Sequence, residues 1–397
     1  MKDFKKKTRV YALKNAIAHG GKAVQGAVIA GLFAEGLKPT DMKKYGKDIS
    51  EIIKEINKLS VEDQKKELDK SKVSVSEREV REGLEELPGA SKGVVMRFSP
   101  SPSGALHIGH ALAIGINFVY VKKYGGKFIC RIEDTNPDNI YPKAYKMIED
   151  EVKWLCDNKV KVVVQSERMK IYYAYAEKFI KKGSYVCTCS GDEFREFVKE
   201  KKNCPCRGKS VKENLGDWKK MLAPKGFKPG EAVLRFKSDM TDKNPAMRDF
   251  PLARINENSH PKQKKKYRVW PLMNLSVTAD DIEMKMTHII RGKDHQDNAK
   301  RQEKMYKILG KKYPWAGYIG KWHVEDLKMS TTAIKEGIES GKYSGWNDKN
   351  LLTVASLKKQ GYKPEAFLGI AEQRGLSEVD KVLSKKDVFE ILDNFNK

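Results

Sequence analysis

The sequence predicts an α/β protein, in which a parallel sheet carries the functional site and helical segments lie before and after it. Three observations lead there. From Val94 onward, short apolar runs alternate with helical stretches of roughly ten to twenty residues. Before that point the apolar residues keep a helical period, and beyond Ser330 helical spacing returns.

In the opening segment Ile49, Ile52, Ile53, Ile56 and Leu59 recur on one helical face. Ser60 followed by Asp63 reads as the cap of a fresh helix. A charge-rich stretch, Lys65 to Glu86, ends at Leu87-Pro88-Gly89, which punctuates like a linker and sets an expected boundary near residue 90. Val94 to Phe98 then reads as a strand running into the turn-rich Ser99-Pro100-Ser101-Pro102-Ser103-Gly104. A helix follows from about Leu106 to Tyr124 and is closed by Gly125 and Gly126. Phe128 to Ile132 is the second strand, and a turn at Asp134 to Pro137 leads into a helix carrying Tyr145, Ile148, Val152 and Leu155. Val160 to Val164 is the third strand. Such βαβ units are right-handed and put ligands at the carboxyl ends of the strands, so the site belongs just after Phe98. Past Ser330, Leu351, Leu352, Ala355 and Leu357, then Phe367, Ile370 and Leu376, mark helices.

Composition bounds the function. The 397 residues include 78 basic and 53 acidic side chains, a net charge of +25, with 40% apolar residues. Collagen-like, coiled-coil and wholly disordered chains are excluded, and the length suits about two to three domains. The basic excess favours a polyanion, because lysines and arginines set against phosphates release condensed counterions. No uninterrupted apolar core follows the basic Lys2 and Lys5 to Lys7, and the apolar run Ala27 to Ala34 is far short of the ~20 residues a membrane span needs. A soluble, cytoplasmic chain with no membrane partner is expected. Basic runs at Lys199 to Lys202 and Lys262 to Lys266 could follow an RNA backbone, though any one such run is ordinarily a solvated face.

Where the site is expected stands Leu106-His107-Ile108-Gly109-His110. A strand, a tight turn and a helix N-terminus present backbone N–H groups and a positive dipole end to a phosphate. Two histidines a turn apart share a face, and Gly109 lets a flat base approach the backbone. A metal at this pair is disfavoured, since no carboxylate or third histidine stands nearby at zinc spacing. Six cysteines are too few for a secreted disulfide scaffold. Four of them form two pairs, Cys187-Thr188-Cys189 and Cys204-Pro205-Cys206, a ligand count that fits tetrahedral zinc against the alternative of a reduced, metal-free loop.

Together these residues carry a family resemblance. His107-Ile108-Gly109-His110, the preceding Arg97-Phe98-Ser99-Pro100-Ser101-Pro102-Ser103-Gly104 and the later Lys328-Met329-Ser330 resemble the signatures of class I aminoacyl-tRNA synthetases. Arg131-Ile132-Glu133-Asp134-Thr135 and Ile290-Arg291-Gly292-Lys293-Asp294-His295 are similar to the glutamyl branch in its archaeal form, as are Tyr11 to Ala16 and Gly20 to Ala23. The resemblance implies a Rossmann-like catalytic domain in two halves, 91–185 and 266–325. It also implies a helical extension at 1–90, a cysteine-containing acceptor-stem insertion at 186–265, and a KMSKS-like loop with a helical domain at 326–397. It implies ATP with Mg2+, glutamate and tRNA(Glu) as cofactors and partners, with tRNA(Gln) as a further candidate and structural Zn2+ at Cys187, Cys189, Cys204 and Cys206.

By the same resemblance His107, His110, Lys328 and Ser330 act on the triphosphate, with Gly109 and Asp294 as further nucleotide contacts. Arg97, Ser99, Glu133, Asn274 and Arg291 hold glutamate, Glu133 at the ammonium and the arginines at the side-chain carboxylate. A guanidinium suits that last task because its fork gives a carboxylate two parallel hydrogen bonds. The fourth position of the KMSKS-like loop, usually lysine, is Thr331 here. Either Lys328 with Ser330 suffices, or Lys335, a turn further on, reaches back. Ser344-Gly345-Trp346-Asn347-Asp348 resembles the family's Gly-Trp-Asp-Asp segment, altered at Asn347.

Archaeal relatives continue into two β-barrels that grip the anticodon, and this sequence ends at Lys397 without them. A shortened chain, an enzyme completed by a separate polypeptide carrying the anticodon-binding domain, and a minimal enzyme acting on the acceptor stem are the alternatives. Beside glutamate ligation stand three other functions: a glutaminyl enzyme, transfer of activated glutamate to a tRNA base, and a non-catalytic tRNA-binding module.

Overall fold

The structure, a computed structural model, describes residues 3–396 except 72, 76–82, 326, 328 and 329, and at 39 and 43 the backbone alone. The chain divides into two units, Met1–Arg81 and Glu82–Lys397. Among the described residues the first unit is helical: α1 (Phe4–Ala18), α2 (Gln25–Ala34), α3 (Met42–Ile56) and α4 (Val61–Lys70). Leu13, Ala16, Val28, Leu32, Ile49, Ile53 and Ile56 form its core, so the isoleucine period does mark the buried face of α3. Ser60 caps α4, its Oγ accepting from the Asp63 N–H at 3.1 Å. No described helix is long and apolar enough to cross a membrane.

The second unit is α/β with a parallel sheet. β1 (Val94–Phe98) is buried along nearly its whole length, as a strand covered on both faces must be. It leads into α5 (Ile108–Tyr124), which Gly125 ends at φ 71. β2 (Gly126–Ile132) starts beside β1, and a Cβ on Gly126 would lie 1.9 Å from the Val94 carbonyl oxygen, so glycine is required there. α6 (Ala144–Leu155) crosses to β3 (Lys161–Val164), and the pairs β1–β2 and β2–β3 are parallel.

After α7 (Met169–Lys181) the chain leaves this sheet. It forms a four-stranded antiparallel sheet from β4 (Tyr185–Cys187), β5 (Val233–Arg235), β6 (Pro251–Ile255) and β7 (Val269–Pro271), with α8 (Gly191–Glu200) and α9 (Val211–Leu222) between β4 and β5. Trp218, Trp270, Tyr172 and Phe179 lie in its core. α10 (Met273–Glu283) then returns the chain to β8 (His288–Gly292), α11 (Gln296–Ile308) and β9 (Trp315–Ile319), the two strands pairing in parallel. β8 runs beside β1: the Thr287 N–H donates to the Val95 carbonyl at 3.0 Å, and the Val95 N–H to Thr287 Oγ1 at 2.9 Å. The strand order is therefore β3-β2-β1-β8-β9. Sheet growth reverses between β1 and β8, which opens a crevice at their carboxyl ends.

The chain closes with β10 (Trp322–Val324), α12 (Thr331–Glu339), α13 (Val354–Lys359), α14 (Pro364–Arg374), β11 (Lys381–Leu383) and α15 (Lys385–Phe395), β10 pairing with β11. α13, α14 and α15 share the core of the sheet, α14 packing on α5 and α6.

Candidate active site

A cavity of about 780 Å³ lies at the crevice between β1 and β8. Its wall includes Arg97, Ser99, His107, Gly109, His110, Glu133, Arg291, Asp294 and Ser330, gathered from four separate stretches of chain.

His107 is the N-cap of α5. The Gly109 N–H donates to its Nδ1 at 3.1 Å, and the His107 N–H donates to Nδ1 of His110 at 3.4 Å. Both Nδ1 atoms are acceptors, so in each neutral ring the proton sits on Nε2, which leaves two N–H donors. The rings stack with centroids 3.8 Å apart. Burial lowers the His107 pKa to about 4, and burial together with His107 puts His110 well below the ordinary value. The pair is thus uncharged at neutral pH and offers hydrogen bonds at a helix N-terminus, a setting suited to phosphate. A Cβ on Gly109 would stand 3.1 Å from the His107 ring, so glycine also protects the cap.

On the facing side, Arg97 is 4% exposed and Arg291 9%. Among the described residues Arg97 makes no hydrogen bond, only an ion pair from Nε to Asp281 at 3.5 Å. Arg291 donates to Gln302 Oε1 at 2.9 Å and to the Tyr313 hydroxyl, while its Nε is buried without a partner. Ser99 Oγ is likewise buried and unpartnered. Buried donors left open cost free energy, and an anionic ligand would supply what they lack.

Glu133 sits between these arginines and the core. Its carboxylate accepts from Arg131 at 3.0 Å, and Arg131 in turn donates to Asp281 at 2.5 Å. Burial raises the Glu133 pKa against the pull of Arg131 and Arg97. Burial works against the Arg131 charge, but Asp281, Glu133 and Asp280 outweigh it and raise its pKa. The next residue bolts this loop to the rest of the unit: Asp134 accepts from Ser166 N–H, Ser166 Oγ and the Tyr145 hydroxyl, each at 2.7 Å. His260, in the connection between β6 and β7, meets the Asp134 carbonyl through Nε2 at 2.9 Å, and Asp138 accepts from Asn256 and Asn258.

Asn274 is not on the wall. It is 6% exposed and turned toward Asn298 and Gln302, each at 3.4 Å, while its neighbour Met273 lines the cavity. Successive helical residues point about 100° apart, so only one of the two can face the ligand. Asn274 instead steadies Gln302, the residue that holds Arg291.

Ser330 caps α12, accepting from the Ala333 N–H at 3.2 Å. Lys328 lies outside the described residues. Lys335 does not reach back; it pairs with Glu339 along its own helix at 3.7 Å. The Thr331 methyl packs where a Cβ on Gly104 would be, 2.4 Å away, so this position is a packing contact with the loop after β1.

Lys321, His323 and Arg374 also line the cavity and escaped the sequence reading. Lys321 stands 3.1 Å from Asp294. The rule that ligands gather at the carboxyl ends of strands, applied to β9 as it was to β1, points to Gly320 and Lys321.

In the antiparallel sheet region, the sulfurs of Cys187, Cys189, Cys204 and Cys206 all lie within 4.8 Å of one another. Three separations are 3.7, 3.8 and 3.8 Å. A tetrahedron with Zn–S bonds of about 2.3 Å has edges of about 3.8 Å, so the spacing fits zinc and is far too long for disulfides.

Comparison with known proteins agrees with this geometry. The family model "tRNA synthetases class I (E and Q), catalytic domain" matches residues 93–395. The chain is 42% identical over 402 residues to the glutamate–tRNA ligase of Methanobrevibacter smithii, covering 100% of this chain and 71% of that one. To the glutamate–tRNA ligase of Methanocaldococcus jannaschii it is 42% identical over 382 residues, 96% of this chain and 68% of that one. The crystal structure of a glutamate tRNA ligase from Elizabethkingia meningosepticum superposes with a TM-score of 0.52 at 21% identity, over 75% of this chain and 68% of that one, a likeness of fold. With stacked histidines at the head of α5, a split parallel sheet and a family match across three quarters of its length, the chain belongs to the class I aminoacyl-tRNA synthetases of the glutamyl and glutaminyl group.

Proposed function

We propose that this chain ligates L-glutamate to tRNA(Glu) through a glutamyl-adenylate. The observation that carries the reading is the pair of buried arginines, Arg97 and Arg291, with open donors across one cavity from two neutral imidazole N–H groups. An amino acid with a carboxylate side chain answers the first set, and a triphosphate the second.

In the first step an α-carboxylate oxygen of glutamate attacks the α-phosphorus of ATP. The new P–O bond forms as the bond to pyrophosphate breaks, and pyrophosphate leaves with the electron pair. In the second step a terminal ribose hydroxyl of tRNA attacks the activated carbonyl, AMP departs, and the hydroxyl proton is released. The protein's part is to position the reactants and stabilise charge. His107 and His110 donate Nε2–H to phosphate oxygens, and Ser330 and Lys328 act on the same triphosphate. Glu133 takes the substrate ammonium, Arg97 and Arg291 the side-chain carboxylate, with Ser99 as a further donor, while Asn274 acts through Gln302. Asp294, beside Lys321, faces the nucleotide.

Mg2+ would enter on the triphosphate, since among the described residues the cavity wall carries only two carboxylates, Glu133 and Asp294, and Mg2+ prefers phosphate and water to an all-protein cage. Zn2+ would be held by Cys187, Cys189, Cys204 and Cys206, in the region we assign to the acceptor end of tRNA.

The test is glutamate-dependent pyrophosphate exchange, with and without tRNA(Glu), with glutamine as competitor and tRNA(Gln) as second acceptor. Glutamate-dependent exchange supports the reading. Exchange with glutamine alone would identify a glutaminyl enzyme, and none under any condition a binding module.

A further inference from the structure

Glu151 is a buried carboxylate that the chemistry above leaves unused. It lies on α6, 7% exposed, and points at the turn that precedes the histidine pair. Its Oε2 accepts from the Leu106 N–H at 2.9 Å, and the Ala355 N–H in the first turn of α13 favours its ionised form. The two segments it joins are themselves laced together. The Ile108 N–H donates to the Leu352 carbonyl at 2.9 Å, the Val354 N–H to the Leu106 carbonyl at 2.8 Å, and His107 and Thr353 form an antiparallel bridge. Leu106 immediately precedes His107, the cap of α5, so whatever fixes the Leu106 peptide fixes the direction in which both imidazoles face.

We propose that Glu151 is a positioning residue for adenylate formation: by holding the Leu106 N–H beside the laced α13 segment, it locks the turn that presents His107 and His110 to the triphosphate. The assignment rests on the ligase reading above.

A backbone donor needs a lone pair, which an ionised carboxylate offers on either oxygen, whereas a protonated one can set an O–H against it. Burial pushes the Glu151 pKa up to about 7, so the change falls within the working range. The charged groups facing it are Asp150 on its own helix and Lys358 on α13, which act in opposite directions. His107 and His110, beyond the turn, are neutral there.

The experiment uses the full chain labelled with 15N-leucine and 15N-alanine, and the variant Glu151→Gln. In the wild type, the Leu106 and Ala355 amide signals are expected to titrate together with a midpoint near 7, and the kcat of pyrophosphate exchange to fall on the acid side at the same pH. In Glu151→Gln the amide nitrogen confronts one backbone donor. Its kcat at pH 8 should drop by roughly 10- to 100-fold, as for a small displacement of catalytic groups. Its KM for glutamate should stay within about twofold, because uniform binding at Arg97 and Arg291 is untouched, and the limb near pH 7 should vanish. A variant with wild-type kcat and an unchanged acid limb overturns the proposal. If the variant does not fold, the wild-type amides decide, and signals that stay still between pH 5.5 and 8.5 overturn it. Amides that titrate in a chain inert in exchange would support the Glu151 contact and refute the ligase reading instead.

Discussion

At the scale of single residues, burial keeps the two histidines of the cavity wall uncharged. His107 is the cap of α5 and, on the proposed function, also a phosphate donor, and Asn separates the two roles, since it caps a helix as well as any residue but carries no imidazole. The His107→Asn variant should therefore fold, with exchange reduced by about 100-fold or more, the usual cost of removing one transition-state donor. Its stability profile should change as well. With the folded His107 pKa near 4 and the unfolded one near 6.5, the unfolded chain binds a proton in that window that the folded chain does not. The group's contribution is complete above pH 6.5 and lost as pH falls toward 4, up to about 3 kcal/mol. Thermal unfolding from pH 4 to 7 should show a shallower acid loss in the variant; equal slopes would mean that His107 is charged in the folded chain.

At the scale of elements, legibility in the sequence follows how much of each element the core dictates. β1, α5 and β2 stand where the apolar period changes, because strands buried over most of their length read as apolar runs, broken here by the site arginines Arg97 and Arg131. The antiparallel strands β4, β5 and β7 are three residues each, too short for any period, and only the cysteine pairs signalled that region. On α10 the sequence does not say which of Met273 and Asn274 meets the cavity, and Glu151 stands in the charged run Glu149-Asp150-Glu151, where nothing local marks the one carboxylate that turns inward. The cysteine cluster makes its own prediction. Arg207, next to Cys206, donates to the fully buried Asp249, which also accepts from the Tyr185 hydroxyl near Cys187, so the cysteines are anchored to the sheet on both sides. Purified protein should hold one equivalent of zinc, and stripping it should lower the melting temperature and abolish tRNA charging while leaving exchange without tRNA, if present, within about twofold, because none of the four cysteines lines the cavity. Less than half an equivalent would remove the site.

At the scale of the molecule, charge is divided between two regimes. Both units carry more lysine and arginine than aspartate and glutamate, yet the ion pairs beside the proposed glutamate pocket are buried: Arg131 is 0% exposed, and the Asp281 side chain that meets it 1%. Exposed lysines such as Lys199 and Lys202 pair only with neighbouring surface glutamates, contacts worth little in water. Salt screens the exposed charges strongly and the buried ones weakly. Binding of tRNA should therefore weaken steeply with salt, by roughly a thousandfold between 50 and 200 mM if about six phosphates are contacted. The KM for glutamate over the same range should move by less than about twofold, since its partners are out of the solvent. Filter binding with tRNA(Glu), read beside the glutamate KM in exchange at saturating tRNA, separates the two. A glutamate KM that rises in step with the loss of tRNA affinity would mean that the pocket is assembled only on the bound RNA, and that the enclosed network of Arg97, Arg131, Glu133 and Asp281 does not by itself hold glutamate's place.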